Sequence, residues 1–152
     1  MHQRHQHEQQ DGGCACVCRG HAPAPFDKRG RDPKLVELHA LVLEAQEHAE
    51  SSIRPGMTGR EGDALARDVI ASAGYGEAFT HGLGHGIGLE VHEPPSLSRL
   101  RGEDALQPGM VFSVEPGVYL PGWGGVRIED LVVLEEDGAR VLCHSPKTLI
   151  LN

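Results

Sequence analysis

Several features are missing from this chain, and each absence excludes something. Basic residues are not in excess. Lys and Arg number 14 against 22 Asp and Glu, for a net charge of −8. That is no footprint for nucleic acid or an anionic membrane. No apolar run approaches the ~18 residues of a membrane-spanning helix. The N-terminus is rich in His and Gln and has no apolar h-region, so it does not read as a secretory signal. A disulfide framework is missing too. Three of the four cysteines crowd into CACVC, and Cys143 stands alone. A reducing cytoplasm is therefore the expected setting. What is present is enough for one domain with a core: 152 residues, 39% of them hydrophobic.

Composition changes near Gly30. Residues 1–30 contain Phe26 as their only large aromatic and show neither helical nor strand periodicity. They read as a disordered or aberrant leader. Cys14, Cys16 and Cys18, with His2, His5, His7 and His21, form a set able to chelate a soft metal. C-x-C-x-C nevertheless lacks the paired C-x-x-C spacing of a structural zinc site.

Residues 31–152 read as the folded part. Asp32-Pro33 is a helix start, an N-cap acceptor followed by proline at the first helical position. Leu35, Leu38, Val42, Ala45 and Ala49 recur at helical spacing. Thr58 and Glu61 form a T-x-x-E capping box for a second helix, which carries Leu65, Val69 and Ile70 and stops at Gly74. MVFSVEP and GVRIEDLVVLEE alternate as strands do, and Asp137-Gly138 is a hairpin turn. The order predicts an α+β fold, with helices packed on one face of a curved antiparallel sheet.

The chemistry concentrates in HGLGHGIGLEVHEPP, residues His81–Pro95, with three histidines, two glutamates and four glycines. In GVRIEDLVVL, Arg127, Glu129, Leu131 and Val133 share one strand face and Val126, Ile128, Asp130 and Val132 the other. Charge on so apolar a strand is costly unless paired or bound. Val111, Ser113 and Glu115 share a face of the preceding strand. Two strands thus each deliver a carboxylate, and the glycine-rich stretch delivers His85. One imidazole with two carboxylates suits Mn, Co, Fe or Zn. His85 and His92 are seven apart, so a regular strand aims them at opposite faces. A bulge is needed to bring them together, and glycine permits one.

HGLGHGIGLEVHEPP followed by LQPGMVFSVEPGVYLPGWGGVRIEDLVVL resembles the pita-bread metallopeptidases, the family of methionine aminopeptidase, prolidase and aminopeptidase P. GLEVHEPP and GGVRIED resemble the Xaa-Pro branch most. The resemblance covers residues 32–150 and implies the C-terminal half of the pita-bread fold. It implies metal-dependent hydrolysis of an N-terminal peptide bond before proline, hence a peptide with proline second as substrate. It places metal ligands at His85, Glu115 and Glu129. His92 would contact the scissile peptide, His81 would line the substrate pocket, and Arg127 would hold a metal-binding carboxylate in place.

The family also uses two aspartates from a hairpin just before the first helix, and its five ligands hold two ions of manganese, cobalt or zinc. The matching region here, roughly residues 8–22, reads EQQDGGCACVCRGHA. It offers Asp11 alone, and Asp27 lies too close to the helix. The expectation is a truncated, impaired peptidase that binds at most one ion, weakly, and tends to self-associate, as a homodimer for instance. The alternative is a non-catalytic relative that binds a peptide or a partner protein. His39, His48 and His144 read as solvated, Glu93 and Asp130 as neighbours of the site that point away from it, and Cys143 as a buried thiol.

Overall fold

The computed structural model describes residues 14–19 and 32–148. Helix α1 (Pro33–Ser52) starts as its sequence predicts. The Asp32 carboxylate accepts the Lys34 amide at 2.9 Å, and Pro33 takes the first helical position. Its stripe of Leu35, Leu38, Val42, Ala45 and Ala49 is buried. Helix α2 (Gly59–Ser72) opens on a complete capping box, with Thr58 and Glu61 each bonding the other's backbone amide. The two helices pack against each other.

The strands are β1 (Cys14–Arg19), β2 (Gly84–Gly86), β3 (Glu93–Leu97), β4 (Val111–Val114), β5 (Gly117–Leu120), β6 (Gly124–Glu135) and β7 (Gly138–Val141). Every pairing among them is antiparallel. Strand β6 is the spine. Its first half lies between β1 and β5, its second between β4 and β7. Beyond β4 come β2 and then β3. The hairpin from β6 to β7 turns where Asp137-Gly138 predicts, with Gly138 at φ 146°.

Burial along β6 alternates as its sequence does. Val126, Ile128, Asp130, Val132 and Leu134 are at most 1% exposed, while Arg127, Glu129, Leu131 and Val133 are partly open. Helix α1 packs against β6, and the apolar residues of both belong to one core. Each such aliphatic side chain contributes about 1.5–3 kcal/mol of burial. The sheet therefore has a covered face and an open face, and the charged residues singled out at positions 127 and 129 lie on the open one.

Three expectations are corrected. Residues 14–19 are not an unstructured stretch: they pair with β6 along their whole length, from Cys14 opposite Glu129 to Arg19 opposite Gly124. The physical reason is a short alternation hidden among cysteines. Ala15 and Val17 stand opposite Ile128 and Val126, which belong to the covered face. The remainder of 1–30, including Asp11 and Asp27, lies outside the described residues. His39, expected to be solvated, is buried at 7% exposure. It sits between Leu38 and Val42 on the core side of α1. Glu93, expected to point away from the site, lines its cleft.

Candidate metal site

The segment His81–Pro95 becomes a short strand, an exposed loop and a return strand. The register between β2 and β3 shifts between His85 and Gly86, which pair with Ser96 and Glu93. This is the irregularity that the odd spacing of the two histidines requires. It brings the His85 and His92 rings to 4.5 Å between centroids, inclined at 61°. Glycine is needed on both sides of His85. A Cβ at Gly84 would collide with the Ser113 carbonyl oxygen, and one at Gly86 with that of Pro94.

His85 is held from two directions. Its amide donates to Ser113 Oγ at 3.0 Å, and its Nδ1 lies 3.0 Å from the Gly86 carbonyl oxygen. A carbonyl only accepts, so Nδ1 carries the proton of this contact and Nε2 is the nitrogen turned toward the carboxylates. That Nε2 is 3.3 Å from Glu115 Oε1. Glu115 follows β4 at the break before β5, and its Oε1 also accepts Ser113 Oγ at 2.9 Å. Ser113 is fully buried and ties the imidazole backbone to the carboxylate. Strand alternation puts it on the same face as Glu115.

Arg127 stands between the two carboxylates. Its Nε is 3.7 Å from Glu115 Oε2 and its Nη2 3.5 Å from Glu129 Oε2. Burial works against the guanidinium charge, yet Tyr119, Glu115 and Glu129 together hold its pKa above the ordinary value. Glu129 is shifted upward. Burial is the main cause and the Glu115 charge adds to it, against Arg127 and His85. Arg127 supplies the cation that both carboxylates face.

The cleft above these groups measures about 700 Å³ and is lined by His81, His85, His92, Arg101, Glu115 and Arg127 among others. His81 is set deeper. Its Nε2 lies 3.1 Å from Tyr119 Oη, and its ring meets Phe79 edge-on. The sequence reading missed what fixes this segment. Arg67 pairs with Asp63 at 2.6 and 3.0 Å, donates to the carbonyls of Phe79 and His81, and lies over the Phe79 ring. Asp63 also accepts the Leu83 amide at 2.9 Å. The i, i+4 spacing of Asp63 and Arg67 on α2 was the available signal. Trp123 packs toward the helix start: its Nε1 donates to Asp32 at 3.0 Å.

The structure thus gathers His85, Glu115, Arg127 and Glu129 on the open face, with His92 against His85 and His81 alongside. As they stand, no three His, Cys, Asp or Glu side chains among the described residues are grouped closely enough to hold an ion. The guanidinium of Arg127 lies where it neutralises both carboxylates. In kind, the donors fit a divalent ion: one imidazole whose Nε2 faces Glu115, and two partly buried carboxylates.

A helix-backed antiparallel sheet with this array on its free face defines the pita-bread class of fold. The chain belongs to metallopeptidase family M24, whose model matches residues 9–136. It is 54% identical over 118 residues to the uncharacterized peptidase YqhT of Bacillus subtilis, 78% of this chain and 33% of that protein. The Xaa-Pro dipeptidase of Pyrococcus furiosus is 48% identical over 114 residues, 75% of this chain and 32% of that protein. Among solved structures, an Xaa-Pro dipeptidase from Bacillus anthracis superposes with a TM-score of 0.76 at 53% identity, covering 78% of this chain and 33% of that one. A methionine aminopeptidase from Thermotoga maritima, 24% identical with a TM-score of 0.65, shares the fold; it covers 75% of this chain and 53% of that one. The chain spans about a third of the length of the curated relatives it matches.

Proposed function

We propose that the open face of the sheet serves metal-dependent hydrolysis of an N-terminal peptide bond before proline. The observation that carries this reading is a cleft lined by His85, Glu115, Arg127 and His92, with Glu129 joined to it through Arg127 at 3.5 Å. His85, Glu115 and Glu129 are the residues that would hold the ion, of the manganese, cobalt or zinc class. When bound, such an ion lowers the pKa of a coordinated water and polarises a carbonyl.

The chain's own residues supply the rest. Glu115 or Glu129 takes the proton of the attacking water. His92, exposed at the cleft mouth, contacts the scissile peptide and stabilises charge as the tetrahedral centre forms. His81, held by Tyr119, shapes the substrate pocket. Arg127 fixes the geometry of both carboxylates. With these three donors from among the described residues, binding is limited to one weakly held ion, so turnover is slow.

The test is hydrolysis of alanyl-proline by the full chain with manganese supplied. The expected result is slow release of proline, abolished in Glu129→Ala and reduced in His92→Ala. If the chain binds the dipeptide at this cleft without cleaving it, and the two variants behave alike, the site is a non-catalytic peptide-binding surface.

A further inference from the structure

Residues 79–83 carry His81 into the cleft, yet they belong to no helix or strand. Buried backbone groups outside a ladder need other partners. Helix α2 supplies them through two side chains. Asp63 and Arg67 stand one turn apart on it, and Asp63 lies on its buried face with Gly62, Ala66 and Ile70.

Every nitrogen of the Arg67 guanidinium is engaged. Nε and Nη2 donate to Asp63 at 2.6 and 3.0 Å. Nη1 donates to the Phe79 carbonyl at 2.8 Å, and Nη2 to the His81 carbonyl at 2.7 Å. Asp63 in turn accepts the Leu83 amide at 2.9 Å. The guanidinium carbon lies 4.1 Å from the Phe79 ring centroid, and that ring meets the His81 ring edge-on at 5.1 Å. His81 is thus held through its backbone and backed through its ring. The Leu83 carbonyl accepts the Glu115 amide at 2.7 Å, so the same segment is bonded to the candidate metal site.

Stability alone does not account for this pair. The Asp63 and Arg67 side chains are 1% and 13% exposed. A buried ion pair is often replaced by apolar residues of similar volume at no cost in stability. Apolar residues cannot, however, bond a carbonyl at 79, a carbonyl at 81 and an amide at 83 together.

We infer that Asp63 and Arg67 are positioning residues, which set where the His81 imidazole stands in the cleft. Neither lines the cleft itself. The inference rests on the proposed function for the part that His81 plays there.

The experiment compares the full chain with Arg67→Lys. Lysine keeps a positive charge beside the buried Asp63, but a single ammonium cannot replace the planar fork that reaches a carboxylate and two carbonyls. Histidine ring signals are recorded by NMR, with those of His81 identified by their loss in His81→Gln. Hydrolysis of alanyl-proline with manganese is measured alongside. In Arg67→Lys the His81 signals should shift while those of His39 and His144 stay, with the melting temperature held within about 4 °C. KM should rise about tenfold and kcat change less than about twofold, because the Asp63–Leu83 contact behind Glu115 is kept. His81 signals that stay in place in a folded Arg67→Lys overturn the inference, and so do shifted signals with KM unchanged. If Arg67→Lys unfolds, Phe79→Leu decides in its place. It removes the ring between the guanidinium and His81 and should shift the same signals; unmoved signals overturn the inference. An unaltered chain that does not cleave the dipeptide removes the proposed function, and the NMR result then decides the positioning alone.

Discussion

Strand β6 carries a carboxylate–cation–carboxylate group on each of its faces, and the two groups differ in almost every respect but charge. On the covered face, Lys147 Nζ lies 2.5 Å from Asp130 Oδ2 and 3.6 Å from Glu50 Oε2. The carboxylate side chains there are 1% and 9% exposed. On the open face, Arg127 reaches Glu115 and Glu129 only at 3.7 and 3.5 Å, and those side chains are 13% and 30% exposed. The covered group is closed tightly around its cation, with its carboxylates buried and Lys147 25% exposed. The open group is loose and borders a cleft. The same three charges form a tight ion pair where the carboxylates are buried and a loose one where they border the cleft.

The comparison breaks first at Lys147. Neither oxygen of Asp130 has a well-formed hydrogen bond, so the ion pair is what offsets its burial. Lys147→Met leaves a buried carboxylate without its cation and should cost about 3 kcal/mol in chemical denaturation. A loss well below that would mean that water reaches the covered face.

Glu50 gives the next largest effect, through pH. Burial foremost, with Asp130 adding and Lys147 opposing, pushes its pKa from 4.5 up to about 7. A carboxyl raised in the folded state stabilises most below its unfolded pKa, and that stability is lost as pH rises through the folded value. The folded state should therefore lose on the order of 2 kcal/mol from this group between pH 4.5 and about 7. Thermal melts of Glu50→Gln across that window should show a flatter profile.

Asp63 supports the open face from behind, through Arg67 and the Leu83 amide. Asp63→Asn should cost roughly 1–2 kcal/mol of stability. It should also loosen His81, visible as a shift of the His81 ring signals by NMR. The smallest stability change is expected at Arg127. Arg127→Gln should alter stability by less than about 1 kcal/mol, as partly exposed ion pairs do, while changing divalent-ion affinity measurably by titration calorimetry. An equal penalty at Lys147 and Arg127 would erase the distinction between the faces.

Much of this was legible in the sequence, and the rest was hidden for physical reasons. The alternation of Arg127 and Glu129 against Val126 and Ile128 assigned the two faces, because period-two patterning survives folding directly. The caps at Asp32 and Thr58 were equally readable, being local. Strand β1 was not, because cysteine passes for apolar and blurs the contrast with Ala15 and Val17. Its pairing depends on β6, more than a hundred residues away in the chain. The bulge between His85 and Gly86 was deduced as a requirement, yet its partners came only from β3. Lys147 meets Asp130 and Glu50 through tertiary packing, which no local pattern encodes. His39 was misread because a polar side chain on an otherwise apolar helix face gave no sign of its depth.

The central claim is that the open face of β6 binds a divalent ion and the covered face does not. Manganese binding to the full chain, measured by equilibrium dialysis for the unaltered protein, Glu129→Gln and Glu50→Gln, tests it most directly. Both substitutions remove one carboxylate charge from a group containing a cation. Binding that is lost in Glu129→Gln and kept in Glu50→Gln is the predicted result. Binding unaffected by Glu129→Gln, or lost equally in both, would contradict it.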